Sequence, residues 1–390
     1  MQEVIISGAS RTAMCALQGA FSDLSASTLG GVAINAAMKD SGISTADEIF
    51  MGCVLSAGQG QAPARQASFA AGLSEDVPAT TINKMCGSGM KAAMIAFNQI
   101  SLGLSNIVIA GGMESMTNAP YLLSKMRQGA RLGHENVIDH MFLDGLEDAY
   151  DKGRLMGSFA EDCAEAYNLT REIQDDYALS SLNRAIHAQK TGEFANEIVT
   201  VSMSTKKGAI EVMEDEQLQL ARPEKIPYLQ PAFRKNGTVT AANSSSISDG
   251  AAAVMLCDKY VAESRDLTIR AKVVGHSSYA QQPSQFTTAP IFAAQKLLDQ
   301  VGWTKANVDL WEVNEAFAVV PLVFIREMGI DHEKVNVNGG ACALGHPIGT
   351  SGIRILVTLL NALEKRQLYR GVAVICIGGG EATAMAVERL

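Results

Sequence analysis

The sequence predicts an α/β protein made of two similar halves, with a further segment inserted into the first half. Apolar runs rich in Val and Ile alternate with Ala-rich stretches of helical periodicity, and this alternation is typical of α/β folds. The same succession of strand, glycine-rich turn, helix and strand occurs near both ends of the chain. With 390 residues, 47% of them hydrophobic, the chain is long enough for two or three domains with buried cores.

Short apolar runs predict the strands, and apolar residues at helical spacing predict the helices. A first strand begins at Val4, and buried strands are expected at residues 47–54, 107–110, 308–313, 334–337 and 371–376. Residues 88–100 have apolar side chains at helical spacing and predict a helix with one buried face. A second helix is expected to begin after Thr170, whose hydroxyl is suited to cap its N-terminus.

The two ends of the chain resemble each other in the order of their motifs. TTIN at 80–83 leads through glycines and a helix to the strand IVIA and then to GGME. VNVN at 335–338 leads in the same way to VAVICI and GGGE. We interpret this as an internal duplication, although any two β-α-β units share such an order. The expected domains are an N-terminal half (1–118 with 247–267), an inserted loop domain that shapes the substrate site (119–246) and a C-terminal half (268–390).

Charge and cysteine content bear on partners, cofactors and location. With a net charge of −9 and no long basic run, the chain lacks the basic face that a nucleic acid or an anionic membrane needs. No apolar run reaches the ~18 residues of a membrane span. Seven widely spaced cysteines without a CxxC pair predict reduced thiols in a cytoplasmic protein, with neither disulfides nor a zinc site. Six histidines without a paired ligand motif predict no metal centre.

The first candidate site is the segment NKMCGSGMKA at 83–92. Cys86 lies at a predicted strand-to-helix turn, where the helix dipole is expected to lower the pKa of its thiol. The neighbouring glycines would let a substrate approach closely. A buried structural cysteine is the alternative interpretation. The pattern Gly87-x-Gly89-x-x-Ala92 also fits a dinucleotide-binding loop, but the acidic residue expected ~20 positions later is missing.

The second candidate site is the glycine-rich segment at 338–349. His346 stands there between Gly345 and Pro347, and an imidazole held rigidly in such a loop is a candidate general base. A satisfied core or surface histidine is the simpler interpretation. Cys342 precedes His346 by four residues, and we assign it to packing because no glycine-flanked helix start follows it directly.

Two further segments place polar or reactive groups at the ends of predicted strands. Cys376 closes a strand, and the N–H groups of the glycines at 378–380 could form a pocket for an anion. Asn314 and Glu315 open the motif NEAF at the end of another strand, where α/β folds place ligands. The alternative for Asn314 is the N-cap of a following helix.

Taken together, these motifs resemble the signature blocks of thiolases in order and in spacing. The four main blocks are CGSG at 86–89, NEAF at 314–317, GHP at 345–347 and CIGGG at 376–380. GGMESM at 111–116 and NSSSISDGAAA at 243–253 are similar to further blocks of the family. The resemblance runs from Val4 to the C-terminus, and it is greatest to the short-chain acetyl-CoA acetyltransferases.

The resemblance implies a fold and a division of catalytic roles. The fold would be two α/β halves in α-β-α-β-α layers, with an inserted loop domain. Cys86 would be the nucleophile that becomes acetylated, activated by His346, and Cys376 would be a second acid/base that removes a proton from the methyl carbon of acetyl-CoA. Asn314 would position a water beside His346 in one oxyanion hole. The N–H groups of Cys86 and Gly378 would form the other hole, worth ~3–4 kcal/mol per donor.

The resemblance also implies how the substrate binds. Coenzyme A enters as a thioester substrate, with no separate cofactor and no metal. Contacts with it are expected from Met156, Lys225, Ser245 and Phe317. Leu155 stands where many short-chain members have histidine, which leaves the preferred acyl chain length open. The family also implies a homo-oligomer, either a dimer or a tetramer.

The expected activity is the reversible Claisen condensation of two acetyl-CoA to acetoacetyl-CoA and coenzyme A. Thiolysis of longer 3-ketoacyl-CoA, with degradation as the role, is one alternative. A non-catalytic acyl-CoA or lipid carrier is another, against which the intact Cys86, His346 and Cys376 argue. A dinucleotide oxidoreductase and a ketoacyl-synthase-like condensing enzyme also stay open, although the latter typically lacks a second cysteine.

Overall fold

The computed structural model describes residues 2–205 and 208–390, and its main feature is one large mixed sheet. The strands are β1 (Val4–Arg11), β2 (Cys15–Ala16), β3 (Glu48–Gly52), β4 (Ala79–Ile82), β5 (Ile107–Ser115), β6 (Tyr121–Leu122), β7 (Ile138–Asp139), β8 (Val201–Thr205), β9 (Gly208–Val212), β10 (Ser248–Asp258), β11 (Ala271–Ala280), β12 (Leu310–Val313), β13 (Arg370–Ile377) and β14 (Glu381–Glu388).

The α-helices are α1 (Ala26–Ser41), α2 (Pro63–Ala70), α3 (Ser88–Ser101), α4 (Met156–Ala166), α5 (Arg171–Lys190), α6 (Glu216–Leu220), α7 (Lys259–Ser264), α8 (Ala289–Val301), α9 (Val319–Met328), α10 (Ala341–Leu344) and α11 (Ser351–Lys365). A π-helical turn spans Phe142–Leu146. Single 3-10 turns lie at Met126–Gln128, Pro223–Tyr228, Pro283–Gln285, Lys305–Asn307 and His332–Lys334.

The large sheet contains two groups of strands with the same order and the same pairing pattern. The first runs β1-β10-β5-β3-β4, with two antiparallel pairs followed by two parallel pairs. The second runs β11-β14-β13-β12 with matching pairs, and it ends on a parallel bridge between Trp311 and Val335. A short antiparallel contact between β1 and β11 joins the two groups. The internal duplication predicted from the sequence is therefore confirmed.

Helices lie on the outer side of each group of strands and between the two groups. α3 and α11 pack against each other and against strands of both groups. Side chains alternate along the strands, so that in β5 Val108 and Ala110 join the α3 and α11 core, whereas Ile107 and Ile109 join the core under α1 and α2. α8 and α9 cover the outer side of the second group. The result is the predicted α-β-α-β-α layering.

The inserted segment lies between β5 and β10 and packs mainly on the second half. α4 contributes to the core that contains α8 and α9, and α5 packs on α10. α5 begins at Arg171, where the Thr170 hydroxyl accepts a hydrogen bond from the N–H of Ile173 at 3.4 Å, as the sequence predicted. β10 then returns between β1 and β5. The limits of the three predicted domains stay a prediction.

One predicted strand, at 334–337, is reduced to a single bridge at Val335. Asn336 follows with φ of +49°, in the left-handed region, so the extended chain is interrupted there. The Asn336 side chain replaces the missing strand contacts: its oxygen accepts from the N–H of Val313 and its NH₂ donates to the carbonyl of Val313, both at 2.8 Å. The expectation of a regular strand is therefore wrong, although the position of this segment beside β12 is right.

The structure also bears on membrane, metal and disulfide features. In the described ranges, no helix is long and apolar enough to cross a membrane. Within that same part of the chain, no group of three or more His, Cys, Asp and Glu side chains is placed to hold a metal ion. All seven cysteines are free thiols.

Candidate active site

One cavity, with a volume of about 370 Å³, collects most of the residues that the sequence singled out. Its walls come from the first half, the second half and the inserted segment, so it lies where all three meet. Seven predicted site residues line it, namely Cys86, Met156, Ser245, Phe317, His346, Cys376 and Gly378. Asn314 and Lys225 are not part of this lining.

Cys86 is presented to the cavity by a tight turn between β4 and α3. Met85 has φ of +46°, so the chain reverses just before the thiol. Ser88 fixes the turn, because its hydroxyl donates to the Met85 carbonyl at 2.6 Å and accepts from the Lys84 N–H at 2.8 Å. The Lys84 side chain forms an ion pair with Glu381, at the start of the last strand. The turn therefore carries a half-buried thiol and is tied to the second half.

Gly87 and Gly89 allow close packing between the halves. A Cβ on Gly87 would collide with the side chain of Ile377, and one on Gly89 would lie 3.0 Å from the backbone nitrogen of Ile353. Both neighbours belong to the second half, so protein atoms of that half fill the space beside these glycines. These contacts give the glycines a packing role, and the expectation that they let a substrate approach stays a prediction. The same contacts leave no space there for the pyrophosphate of a dinucleotide, which the GxGxxA pattern would require.

Burial raises the pKa of the Cys86 thiol to about 11. The N–H groups of Gly378 and of Cys86 itself lower this pKa, but they do not offset the loss of solvation, and the carboxylate of Glu114 raises it further. The effect of a helix dipole is confined largely to the first helical turn. α3 begins only at Ser88, so Cys86 lies outside that turn. The prediction of a lowered pKa is therefore wrong. The resting group is a thiol that needs a base.

The raised pKa predicts how Cys86 reacts with an external electrophile. We expect its alkylation by iodoacetamide to accelerate about tenfold per unit between about pH 7 and 9, because only the thiolate reacts and its fraction grows with pH below the pKa. The measurement is the alkylated fraction of the Cys86 peptide, by mass spectrometry, over time at each pH. A rate that is already constant at neutral pH would show a resting thiolate and contradict the raised pKa.

One ring nitrogen of His346 has no protein partner in the described part of the chain. Its Nδ1 lies 2.5 Å from the Ser351 hydroxyl, and that hydroxyl donates its own proton to the Pro347 carbonyl at 3.1 Å. Since Ser351 has a single proton, Nδ1 must be the donor in the first bond, and Nε2 carries the lone pair. Nε2 is buried without a partner among the described residues. Burial lowers the pKa of His346 to about 3, so the imidazole is a neutral base at the cavity.

Cys376 and Gly378 follow one another at the end of β13 and reach the same cavity. Cys376 is 1% exposed, and burial raises the pKa of its thiol well above the usual range, with a further rise from Cys86. The N–H of Gly378 is close enough to the Cys86 sulfur to lower the pKa of that thiol. Two thiols and a backbone donor are thus close together, although they are nearly 300 residues apart in the sequence (290 between Cys86 and Cys376).

Asn314 follows β12 and is fully buried, at 0% exposure. Its N–H bonds to the Val374 carbonyl at 3.0 Å, but neither its side-chain oxygen nor its side-chain nitrogen has a partner among the described residues. Buried amides are almost always hydrogen-bonded, so this one is available to solvent or substrate. α9 begins at Val319 with Ala318 as its N-cap, and the alternative role of Asn314 as a helix cap is therefore wrong.

Glu315 is a buried carboxylate whose contacts sequence reasoning missed. It accepts hydrogen bonds from the side chains of Tyr177 at 2.9 Å, Ser181 at 2.8 Å and Asn336 at 2.8 Å, and from the N–H of Cys342 at 3.0 Å. These bonds tie α5 of the inserted segment to the loops of the second half. Cys342 belongs to this network through its N–H, and its assignment to packing stays a prediction. The position of Glu315 directly after a strand was the only signal in the sequence.

The cavity wall is mainly apolar. Leu155 lies in it, together with Phe142 and Leu146 from the π-helical turn and Met85 and Ile348 from the two halves. Sequence reasoning missed Phe142 and Leu146, because a single π-helical turn in a loop-rich segment has no clear periodic signal. This wall is suited to a short hydrocarbon chain.

Lys225 lies in a second depression of about 250 Å³ that adjoins the cavity. The two share Ala241 and Ser246 as lining, and Arg222 adds a second cation to the depression. Ser245 points its hydroxyl at the Ala316 carbonyl, at 3.0 Å. A bound molecule could therefore extend from the thiols past Ser246 toward the two cations.

Comparison with known proteins gives a consistent picture. Residues 4–260 match the family described as thiolase, N-terminal domain, and residues 267–389 match the thiolase, C-terminal domain. Acetyl-CoA acetyltransferase 2 of Arabidopsis thaliana is 49% identical over 395 residues, covering 100% of this chain and 98% of that protein. A thiolase of Ascaris suum in complex with coenzyme A is 42% identical with a TM-score of 0.94, and an acetyl-CoA acetyltransferase of Syntrophomonas wolfei is 38% identical with a TM-score of 0.96. Both structures are covered completely, as is this chain.

Proposed function

This chain belongs to the thiolase family, and on that premise we propose that it is an acetyl-CoA C-acetyltransferase, an enzyme that condenses two acetyl-CoA to acetoacetyl-CoA and coenzyme A. One observation carries the proposal: a single cavity holds two thiols, a neutral imidazole with a free nitrogen, and a backbone N–H on the first thiol. Acyl transfer needs the nucleophile and its base, and carbon–carbon bond formation needs a second acid/base.

In the first half-reaction, Cys86 attacks the carbonyl carbon of acetyl-CoA. Nε2 of His346 takes the thiol proton, and the C–S bond to coenzyme A breaks as the bond to Cys86 forms. Cys376 gives its proton to the departing coenzyme A sulfur and is left as a thiolate. The N–H groups of Cys86 and Gly378 are suited to hold the oxyanion in this step. The products are acetyl-Cys86 and free coenzyme A.

In the second half-reaction, the Cys376 thiolate removes a proton from the methyl group of a second acetyl-CoA. The enolate oxygen is held by His346, now protonated, and by a water on Asn314, whose free amide supports that role. The carbanion attacks the acetyl group, and Cys86 leaves and recovers its proton from His346. Atoms and charges balance, and no oxidation occurs, so we propose that the enzyme needs no redox cofactor and no metal.

We place coenzyme A across the cavity and the adjoining depression. Its thioester end would lie beside Met156 and Phe317, and the polar chain would pass Ser245. The phosphates would then reach the depression that holds Lys225 and Arg222, where two cations suit an anionic group. The complex of the Ascaris suum thiolase with coenzyme A supports a binding site for this ligand on the fold.

The test is steady-state kinetics of condensation and of thiolysis across 3-ketoacyl-CoA of increasing chain length. We expect the four-carbon substrate to give the highest kcat/KM, because Leu155 and the other apolar side chains close around a small volume. Higher kcat/KM for long chains would favour the degradative alternative. A protein that is never acetylated by acetyl-CoA would instead be a carrier, and the proposal would be wrong.

The assembly is proposed to be a homo-oligomer, either a dimer or a tetramer. β4 is the last strand of the large sheet, and an edge strand of this kind is suited to pair with a second copy. Apolar side chains are also exposed in the inserted segment, at Tyr121, Leu123, Met126, Leu132 and Val137. Exposed apolar side chains mark a protein contact where they adjoin one another. Light scattering should give two or four times the 41.4 kDa chain mass, and a monomer at assay concentration would contradict the prediction.

A cytoplasmic location is proposed because the cysteines are free thiols. Free thiols are the rule in a reducing compartment, and two of the seven are needed in reduced form by the chemistry proposed here. Fractionation with a compartment marker would test the location.

A further inference from the structure

The loop that carries His346 rests on bare backbone of the first half. A Cβ on Gly52 would lie 2.8 Å from the Gly349 carbonyl oxygen, and one on Gly89 would lie 3.1 Å from the same oxygen. A Cβ on Gly112 would collide with it. These three glycines, from β3, α3 and β5, form what we call the glycine seat. Only residues without side chains permit so close an approach of the loop.

Glu114, two residues beyond the seat on β5, bonds to the same loop. Its Oε2 accepts the N–H of Gly349 at 2.8 Å and the N–H of Val54 at 3.0 Å. Its Oε1 accepts the N–H of Leu55 at 3.1 Å and lies 3.6 Å from the sulfur of Cys53. The carboxyl group is fully buried, and its hydrogen bonds join the first half to the His346 loop.

Burying a carboxylate to make this link is unfavourable in solvation free energy. Taking it out of water is unfavourable, and burial raises the pKa of Glu114 to about 7, although three N–H groups lower it. What a carboxylate offers in return is two oxygens that only accept. Three backbone donors from two segments converge on them, and a neutral amide has one accepting oxygen for all three.

We propose that Glu114 is a positioning residue for His346, which with the glycine seat fixes the distance between the imidazole Nε2 and the sulfur of Cys86. The inference rests on the proposed function, in which Nε2 takes the proton of Cys86. The nucleophile belongs to the first half and the base to the second, so their separation is set by contacts between the halves. Glu114 makes such a contact three residues from His346, through Gly349.

Replacing Glu114 with glutamine is the direct test. The amide NH₂ of E114Q would face a backbone N–H, which it cannot accept. A hydrogen bond to Val54, Leu55 or Gly349 would therefore be lost, and the loop would shift. A displacement of ~1 Å in a reacting group can cost ~10²-fold. We expect kcat to fall about 100-fold, acetylation of Cys86 to slow equally, and KM for acetyl-CoA to stay within about threefold. Those are the marks of a displaced base and not of weaker binding.

A matched control separates positioning from stability. Asp258 is also a buried carboxylate on a strand of the first half, and it accepts the N–H groups of Tyr260 at 2.9 Å and Val261 at 3.3 Å. Asp258 is the last residue of β10, and Ser248 at the other end of the strand lies near the cavity. The two ends are ten residues apart, or ~33 Å along the strand. D258A removes both of these capping bonds, so it should lower Tm as E114Q does but keep kcat within about twofold.

A second variant covers the case in which E114Q does not fold. G349A would place a Cβ 2.5 Å from Oε2 of Glu114 and press the loop away from it. It should show the same fall in kcat with unchanged KM, and in the double variant the two effects should not add, because both act through one contact. Wild-type kcat in a folded E114Q, or in G349A, would overturn the inference, as would a rise in KM alone. A wild-type chain without thiolase activity would refute the proposed function itself, and this inference with it.

Discussion

Replacing Cys86 with serine is expected to abolish both half-reactions. The alcohol of serine is a far weaker acid than a thiol and a poorer leaving group, so His346, with a pKa of about 3, cannot activate it. Removing an enzyme's nucleophile typically costs on the order of 10⁶ in kcat. Intact-mass measurement after exposure to acetyl-CoA should show one added acetyl group on the wild-type chain and none on C86S. Condensation and thiolysis should both fall below detection.

Cys257 offers a control with the same thiol chemistry in a different place. Burial raises its pKa to about 11, as it does for Cys86, but Cys257 lies near the end of β10 remote from the cavity. If acidity alone decided acylation, both thiols would respond alike. C257A should keep its acetylation and its kcat, and the label should be found on the Cys86 peptide alone. A label on Cys342 or Cys376 during turnover would contradict the assignment.

The fold was predictable because its signals are local and repeated. Short apolar runs located β5 and β13, and the paired motifs near 80–83 and 335–338 revealed the duplication that strand order confirms. The local sequence pattern could not show that hydrogen bonds from a side chain replace the strand expected at 334–337. Asn336 provides both hydrogen bonds to Val313, and its left-handed backbone depends on a partner strand that is distant in the sequence.

The sequence predicted which residues form the site, but it did not predict their protonation states. Motif resemblance collected the two cysteines, His346 and Gly378, which one cavity now brings together. The protonation state of Cys86 depends instead on how much water the folded halves exclude, which is a sum over contacts from the whole chain. The same holds for His346, whose tautomer is set by Ser351, and for Glu114, whose three donors come from two separate loops.

Replacing Cys376 with serine should separate the two half-reactions. Acetylation of Cys86 needs the nucleophile, Nε2 of His346 and the N–H groups of Cys86 and Gly378, and all of these remain in C376S. Loss of the proton donor to coenzyme A would slow this step, but the leaving group is itself a stable thiolate. One acetyl group per chain is therefore still expected by mass. Serine is smaller than cysteine and fits the same space, so the variant should fold.

Condensation should respond very differently to the same change. Removal of a methyl proton requires a base that is ionised after the first half-reaction, and a serine hydroxyl cannot hold that charge near neutral pH. Loss of a general acid/base costs ~10²–10⁴-fold, so C376S should accumulate acetyl-Cys86 while both condensation and thiolysis fall by that factor. Acetyl-labelled mass and thiolysis rate, measured on one preparation, give the comparison. If C376S blocks acetylation as fully as C86S, or leaves condensation unchanged, then Cys376 is not the second acid/base and the two thiols do not divide the reaction as proposed.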